Sequence, residues 1–346
     1  MRNVLVVAPC FSPSSYPPSL RNRIFALHLE KYGWKPIILT IESRYSEEPC
    51  DDLYARMVPI SLEVIRTKAL PYQWTRKIGI GDLGLRSFWH QYQMAEKVCK
   101  TRKIDLLFIS SPPWYVLLIG TLIKRRLGVP YVIDYIDPWI VPGSGEGGPW
   151  TKAYWFQWLA RHLEPHVVRQ AGAITSVSQG LNECIAKLYP ESKDKIYPAI
   201  PYGIEPADFD FVKGLTLSNE FFSSSDGFHH FVYAGVIWPG VYQAMEALLA
   251  AISQIKDKNP AQYKKMRWHF IGTSYAPNVS PQVLPLARKF GVEEIVTEIV
   301  RRVSYPSILC ALTQADTVVA LGSMDVYYSP SKIFSCLLSS KRVLAV

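Results

Sequence analysis

The chain has 346 residues, more than one hydrophobic core usually serves, so two domains are expected. An apolar share of 49% against 19% charged residues excludes a disordered chain. Six cysteines without a C-x-x-C pair exclude a zinc ribbon or a disulfide framework and suit reduced thiols in the cytoplasm. The net charge of +9 is unevenly placed, with 25 Lys and Arg against 17 Asp and Glu in residues 1–200 and 13 against 12 in residues 201–346.

That basic first part suits peripheral contact with an anionic membrane face or a phosphate-bearing lipid. It carries no recognition motif or Arg-rich helix, so nucleic acid is not expected. The longest apolar run, Trp114 to Ile123, is about half of what a membrane span needs. Aromatics reach 13%, which fits either a tryptophan-rich core or a surface that meets sugars or a membrane interface. The seven histidines show no metal-ligand pattern, and H-L-E-P-H at 162–166 lacks the zincin form, so no metal is expected.

In chain order, MRNVLVVAPC opens with a β-branched run that reads as a first buried strand, Asn3–Ala8, rather than a signal peptide. A helix over Leu20–Tyr32 and a strand over Lys35–Ile41 follow. Further strands are expected at Ile104–Ser110, Tyr131–Tyr135, Ala173–Ser176 and Lys195–Pro198. Between them lie helices over Arg86–Arg102, Trp114–Arg126, Trp150–Gln170 and Gln179–Leu188. Near 200–228 the pattern lapses into turn formers. It restarts with strands at His230–Ala234, Arg267–Gly272, Ile295–Ile299, Thr317–Ala320 and Arg342–Val346. The intervening helices are Tyr242–Ile255, Val283–Phe290, Pro306–Thr313 and Lys332–Leu338. Continuous apolar strands alternating with helices predict parallel sheets covered on both faces, hence an α/β chain of two Rossmann-like domains.

Ligands of open parallel sheets bind at the carboxyl ends of the strands. The loops to inspect are Pro9–Ser19, Ser110–Trp114, Ile136–Trp150, Gly235–Gly240, Gly272–Pro277 and Leu321–Ser331. The first, APCFSPSSYPPSLRNR, has neither G-x-G-x-x-G nor G-K-[ST]; it offers Arg21 or Arg23 near a helix start, or it is a structural loop. DYIDPW puts Asp134 and Asp137 at a strand end, where a carboxylate orients a sugar hydroxyl, acts as a base, holds a metal, or simply forms a turn. The glycine-rich run Gly143–Pro149 behind it reads as a lid or a connector. YAGVIWPG, with Gly235 and Gly240, allows close backbone approach to a ligand but holds no cation. In SPSK, Ser329 or Ser331 is placed to cap a helix and Lys332 supplies a charge, an anion-binding pattern that capping alone would also explain.

Together these stretches resemble the GT-B fold glycosyltransferases of the large family 4 group, most of all the bacterial surface-polysaccharide branch typified by fucosaminyl transferases. The resemblance is carried by FSPSSYPPSLRNRIFALHLEKYGWKPIILT, SSPPW, DYIDPW, the helix-borne Glu164, AGAITSVSQG, YGIEPADF, FVYAGVIWPGVYQAMEALLAAI, ADTVVALG and SPSKIFSCLLSSKRVLAV, in family order over nearly the whole chain. It implies an acceptor-side domain at 1–205, a linker at 206–228 and a donor-nucleotide domain at 229–346, facing a cleft. The second domain is expected to be incomplete, because the family's continues beyond the strand matching Arg342–Val346. It also implies a nucleotide-sugar co-substrate with no other cofactor, a polysaccharide or lipid-linked acceptor, and metal-independent transfer with retention. Carried over, Asp137 is the catalytic carboxylate. Gly235, Gly240, Ser331, Lys332 and Ser335 would bind the donor, and Ser15, Arg21, Ser111, Trp114 and Trp139 would line the acceptor side. Two glutamates eight apart that many members carry correspond to Tyr327 and Ser335. A GT-B sugar-nucleotide epimerase and a catalytically silent subunit of a polysaccharide assembly complex are the alternatives.

Overall fold

Each strand expected from the sequence but one enters a parallel sheet in the computed structural model, which describes residues 1–47, 49–140, 148–215, 217–275, 279–325 and 327–346. The chain divides into two units, Met1–Pro201 and Tyr202–Val346.

The first unit has strands β1 (Arg2–Val7), β2 (Trp34–Ile41), β3 (Glu63–Thr67), β4 (Leu106–Ser111), β5 (Tyr131–Tyr135) and β6 (Ala173–Ser176). All its strand pairs are parallel, in the order β3-β2-β1-β4-β5-β6. Its helices are α1 (Pro17–Leu29), α2 (Asp52–Ala55), α3 (Tyr72–Thr75), α4 (Leu83–Thr101), α5 (Leu117–Leu127), α6 (Lys152–Gln170) and α7 (Gln179–Leu188). Local chemistry starts them: Pro17 and Pro18 open α1, while Asp82, Thr151 and Ser178 accept backbone N–H groups in the first turns of α4, α6 and α7. Val4, Val6, Phe11, Ala26 and Ile38 share one buried cluster under α1. Each such large apolar side chain contributes about 1.5–3 kcal/mol on burial.

The second unit contains α8 (Pro206–Gly214), β7 (His229–Ala234), α9 (Tyr242–Lys258), α10 (Pro260–Lys264), β8 (Met266–Ile271), α11 (Val283–Lys289), β9 (Val296–Ile299), α12 (Tyr305–Gln314), β10 (Thr317–Ala320), α13 (Lys332–Leu338) and β11 (Arg342–Ala345). Its sheet, in the order β11-β10-β7-β8-β9, is also parallel throughout and repeats the winding of the first. Both units are Rossmann-like.

Three features differ from the sequence expectations. Lys195–Pro198 makes only an isolated bridge, Ile196 to Ile174, because the charged segment Pro190–Lys195 winds into a 3-10 turn instead of feeding a strand. The strand β3 was not expected; its EVIRT run places charged Glu63 and Arg66 on either side of Val64 and Ile65, and charged side chains suit a sheet edge. Helix α8 occupies the start of the stretch read as linker and packs on α12, with the Tyr305 hydroxyl donating to Asp208 at 3.1 Å. Most of the glycine-rich run Gly143–Pro149, read as a lid or connector, lies outside the described residues.

Candidate functional site

In the second unit the strand order reverses between β7 and β10, and the loops leaving their carboxyl ends part there. The loop after β7 begins at Gly235 and the segment after β10 ends at Lys332, the first residue of α13. These two residues meet. A Cβ added at Gly235 would overlap the Lys332 Cε and stand 2.5 Å from both Cδ and Nζ, so only glycine lets the lysine lie against the backbone. Gly235 also has φ +157°, a conformation side-chain-bearing residues rarely adopt.

Gly240 closes the same arrangement from the other side. A Cβ there would lie 2.6 Å from Trp238 Nε1 and 2.8 Å from Ser323 Oγ, so its absence lets the β7 loop rest on the β10 loop. The Trp238 ring faces Tyr328 at 5.1 Å, and Lys332 Nζ stands 5.9 Å from the Trp238 ring. Glu298 of β9 organises the neighbouring loops. Its carboxylate accepts the Thr273 hydroxyl at 2.7 Å and the backbone N–H groups of Gln282, Val283 and Leu284 at 2.9 Å.

Burial pushes the Lys332 ammonium down to about 8, and the nearby Arg302 guanidinium adds like-charge repulsion; the Cys336 thiol acts in the opposite sense. Among the described residues no carboxylate pairs with Lys332, so the charges that bear on it leave room for an anion from outside. Arg302 itself lies over the Tyr275 ring at 5.3 Å. Burial also holds the Tyr328 hydroxyl up at about 12 and raises Tyr233 further, so both rings stay neutral.

The sequence reading found no cation in the Gly235 stretch; the fold brings one in from α13. It missed Arg302, Trp238, Ser323 and Tyr328. The signal for Arg302 was its place just past the carboxyl end of β9, a loop not among those inspected. Ser331 makes no side-chain cap to α13, so the serines of SPSK are not explained by capping there. Ser331 and Ser335 are half-buried, before and within that helix.

In the first unit, Arg21 of α1 donates through Nε and Nη2 to the two carboxylate oxygens of Asp134, each at 2.8 Å. The pair is 2% and 0% exposed, and Arg21 Nη1 also reaches the Pro201 carbonyl at 3.2 Å. Arg21 thus joins α1 to the end of β5. Ser15 and Ser111 are buried, and the Ser111 hydroxyl donates to the Asp134 carbonyl at 3.4 Å. Asp137 is exposed, and its carbonyl accepts the Trp114 indole N–H at 3.2 Å. Trp114 packs edge-on to Phe156 at 5.7 Å. Trp139 is completely buried against Tyr115, with its carbonyl accepting from Gln157 at 3.2 Å, so it anchors the DYIDPW segment from inside. Behind it, the buried Glu164 carboxylate accepts from the Tyr135 hydroxyl at 2.6 Å, the Tyr189 hydroxyl at 3.0 Å and the backbone of Ile140. Burial raises it to about 7 in spite of those donors.

His230 and His269, spread in sequence, pair at 3.0 Å, with Asp226 2.9 Å from His230 Nε2. Among the described residues no group of His, Cys, Asp or Glu is arranged to hold a metal ion.

Two doubly wound parallel-sheet units are the architecture of the GT-B fold. Residues 23–195, half of the chain, match the family model described as "Glycosyl transferase 4-like domain", and the chain belongs to that family. Among solved structures it is similar to a sucrose-phosphate synthase from Thermosynechococcus elongatus, at 13% identity and TM-score 0.62, covering 100% of this chain and 81% of that one. A glycosyltransferase from Rickettsia africae aligns at 14% identity and TM-score 0.59, covering 99% and 79%. A UDP-forming α,α-trehalose-phosphate synthase from Burkholderia xenovorans aligns at 11% identity and TM-score 0.55, covering 100% and 84%. At these identities the likeness is one of fold. No curated protein matches the sequence.

Proposed function

We propose that the chain transfers a sugar from a nucleotide-sugar donor to a polysaccharide or lipid-linked acceptor, as in the surface-polysaccharide branch, with retention and without a metal. The observation that carries this reading is Lys332 laid against Gly235 at the switch point, a cation with no carboxylate partner among the described residues, at the place where a parallel sheet binds its ligand. Lys332 and Arg302 neutralise the charge that builds on the departing nucleoside diphosphate as the bond to the sugar's anomeric carbon breaks. Two protein cations supply there the stabilisation a metal would otherwise give. Gly235 lets Lys332 lie against the backbone and Gly240 lets the β7 loop rest on the β10 loop, and Ser331 and Ser335 contribute hydroxyls beside the diphosphate. The Trp238 and Tyr328 rings offer a face for the donor's sugar or base.

The acceptor belongs to the first unit in this reading. Asp137, exposed past β5, orients the attacking hydroxyl, while Trp114 holds the Asp137 backbone in place. The basic charge of residues 1–200 suits a phosphate-bearing acceptor and peripheral contact with an anionic membrane. No helix among the described residues is long and apolar enough to cross a membrane.

The test is incubation of the protein with a panel of sugar nucleotides and polyprenyl-phosphate-linked acceptors, with products identified by mass and anomeric configuration by NMR. Calorimetry with nucleoside diphosphates runs alongside. Transfer with retention supports the reading. No transfer, no donor hydrolysis and no diphosphate binding across the panel would overturn it.

A further inference from the structure

Helix α6 has two unlike faces. Its inward face, Gln157, Ala160, Glu164, Val167 and Val168, is buried in the first unit. The outward face of such a helix is normally charged and polar, yet this one carries Trp155 and Trp158, 54% and 44% exposed, preceded by Trp150 at 94%. The two helix tryptophans form one surface: their rings meet at 5.7 Å, and Trp158 lies 4.3 Å from the His162 ring one turn on. The Trp155 indole N–H donates to the Pro149 carbonyl at 2.8 Å, which ties the helix start to the segment bearing Trp150. These aromatics hold defined positions and still face outward.

The exposed charges on the same helix have one sign. Its three Lys and Arg residues, Lys152, Arg161 and Arg169, are all exposed, and its only carboxylate, Glu164, is buried. Arg169 pairs with Glu191 at 2.9 Å, which leaves Lys152 and Arg161 beside the tryptophans. Tryptophan with flanking Lys and Arg is the composition that settles at the boundary between lipid headgroups and acyl chains.

We infer that the outward face of α6 is the surface by which this protein docks on an anionic lipid bilayer. Trp150, Trp155 and Trp158 enter the interfacial layer, and Lys152 and Arg161 meet the lipid phosphates. This rests on the membrane contact proposed above and names the surface that makes it; glycosyl transfer is not needed for it. A basic face without exposed aromatics would serve any polyanion, whereas clustered indoles also gain from leaving water for the interface.

Co-sedimentation of the full chain with vesicles tests it, using phosphatidylcholine alone and phosphatidylcholine with phosphatidylglycerol, in the absence of any sugar nucleotide. Wild type is expected to pellet with the anionic vesicles and to stay in solution with the neutral ones. W155A/W158A should weaken vesicle binding by about tenfold or more, as should K152E/R161E, which keeps the indoles. W89A, which removes an exposed tryptophan of α4, should bind like wild type. If the aromatic variant fails to fold by circular dichroism, the charge-reversal variant decides the matter. Transfer to a water-soluble acceptor should survive in both α6 variants, so loss of docking and loss of the transferase reading are separately visible. Wild type that ignores anionic vesicles, or α6 variants that bind them as well as wild type, would overturn the proposal. A dimer in analytical ultracentrifugation that dissociates in W155A/W158A would also overturn it, assigning the face to a second copy of the chain.

Discussion

Lys332 occupies the space that a side chain on Gly235 would need, and the two come from loops that follow strands on either side of the switch point. Gly235→Ala therefore forces the lysine out of its place and puts alanine at φ +157°. Backbone strain of this kind costs about 1–3 kcal/mol. The expected result is a nucleoside diphosphate Kd raised about tenfold to a hundredfold, read by calorimetry. The second variant separates crowding from charge. In Gly235→Ala/Lys332→Ala the collision is gone and the cation is gone too, so binding should stay weak while the melting temperature recovers toward wild type.

In the proposed reading, Lys332 makes donor binding depend on pH. Burial and Arg302 hold its ammonium down at about 8, so above that pH the free enzyme presents a neutral amine to an anionic ligand. Diphosphate affinity should fall by about tenfold per pH unit once the neutral form dominates. Lys332→Arg, which stays charged, should flatten that profile. The stability linkage runs the other way. Between about 8 and the ordinary 10.5 the unfolded chain holds a proton that the native state has lost, so native stability gains as pH rises through that window. Chemical denaturation of wild type against Lys332→Met, compared from pH 7 to 10, isolates this contribution from that of the tyrosines.

The parallel sheets were legible because strands buried on both faces are largely apolar; Tyr131–Tyr135 and Ala173–Ser176 were read end to end in spite of Asp134, Thr175 and Ser176. Lys195–Pro198 misled because a few apolar residues after a charged turn look like a short strand, and only tertiary pairing decides. Of the candidate site, the glycines and Lys332 were visible as loop residues past strand ends, but their meeting was not. Side-chain proximity between distant loops is a property of strand order, and the order β11-β10-β7 is not written in any local pattern. Burial was equally hidden for Trp139 and Arg21. A tryptophan past a strand end or an arginine at a helix start reads the same whether it faces solvent or, as here, the interior.

Arg21 and Asp134 form a buried two-point ion pair between α1 and β5. Removing one partner leaves an isolated charge in a dry site, which typically costs about 3–5 kcal/mol. Arg21→Met and Asp134→Leu should each lower the unfolding free energy, read from urea denaturation, by an amount of that order. The double variant R21M/D134L should recover more than half of either loss, because no uncompensated charge remains. A double variant whose loss equals the sum of the two singles would show that the residues act independently and that the pair does not tie α1 to β5.

Glu164 is another buried titratable group, and it holds the backbone of Ile140 just beyond the Asp137–Trp139 segment. Burial raises its carboxyl from 4.5 to about 7 against the opposing hydrogen bonds of Tyr135 and Tyr189. Between those two values the native state holds a proton that the unfolded chain has released, so native stability falls as pH rises from 4.5 to 7 and then levels. The full penalty is on the order of 3 kcal/mol. Glu164→Gln keeps an acceptor for one tyrosine hydroxyl and cannot ionise. It should abolish the slope in that window and make the variant at least as stable as wild type at pH 8, measured by urea denaturation across pH. Tyr135→Phe should act in the opposite sense, because removing a donor to the carboxylate moves its titration higher and carries the slope past pH 7. Unchanged pH dependence in both variants would mean that the Glu164 carboxyl is ionised throughout, with its three donors outweighing its burial.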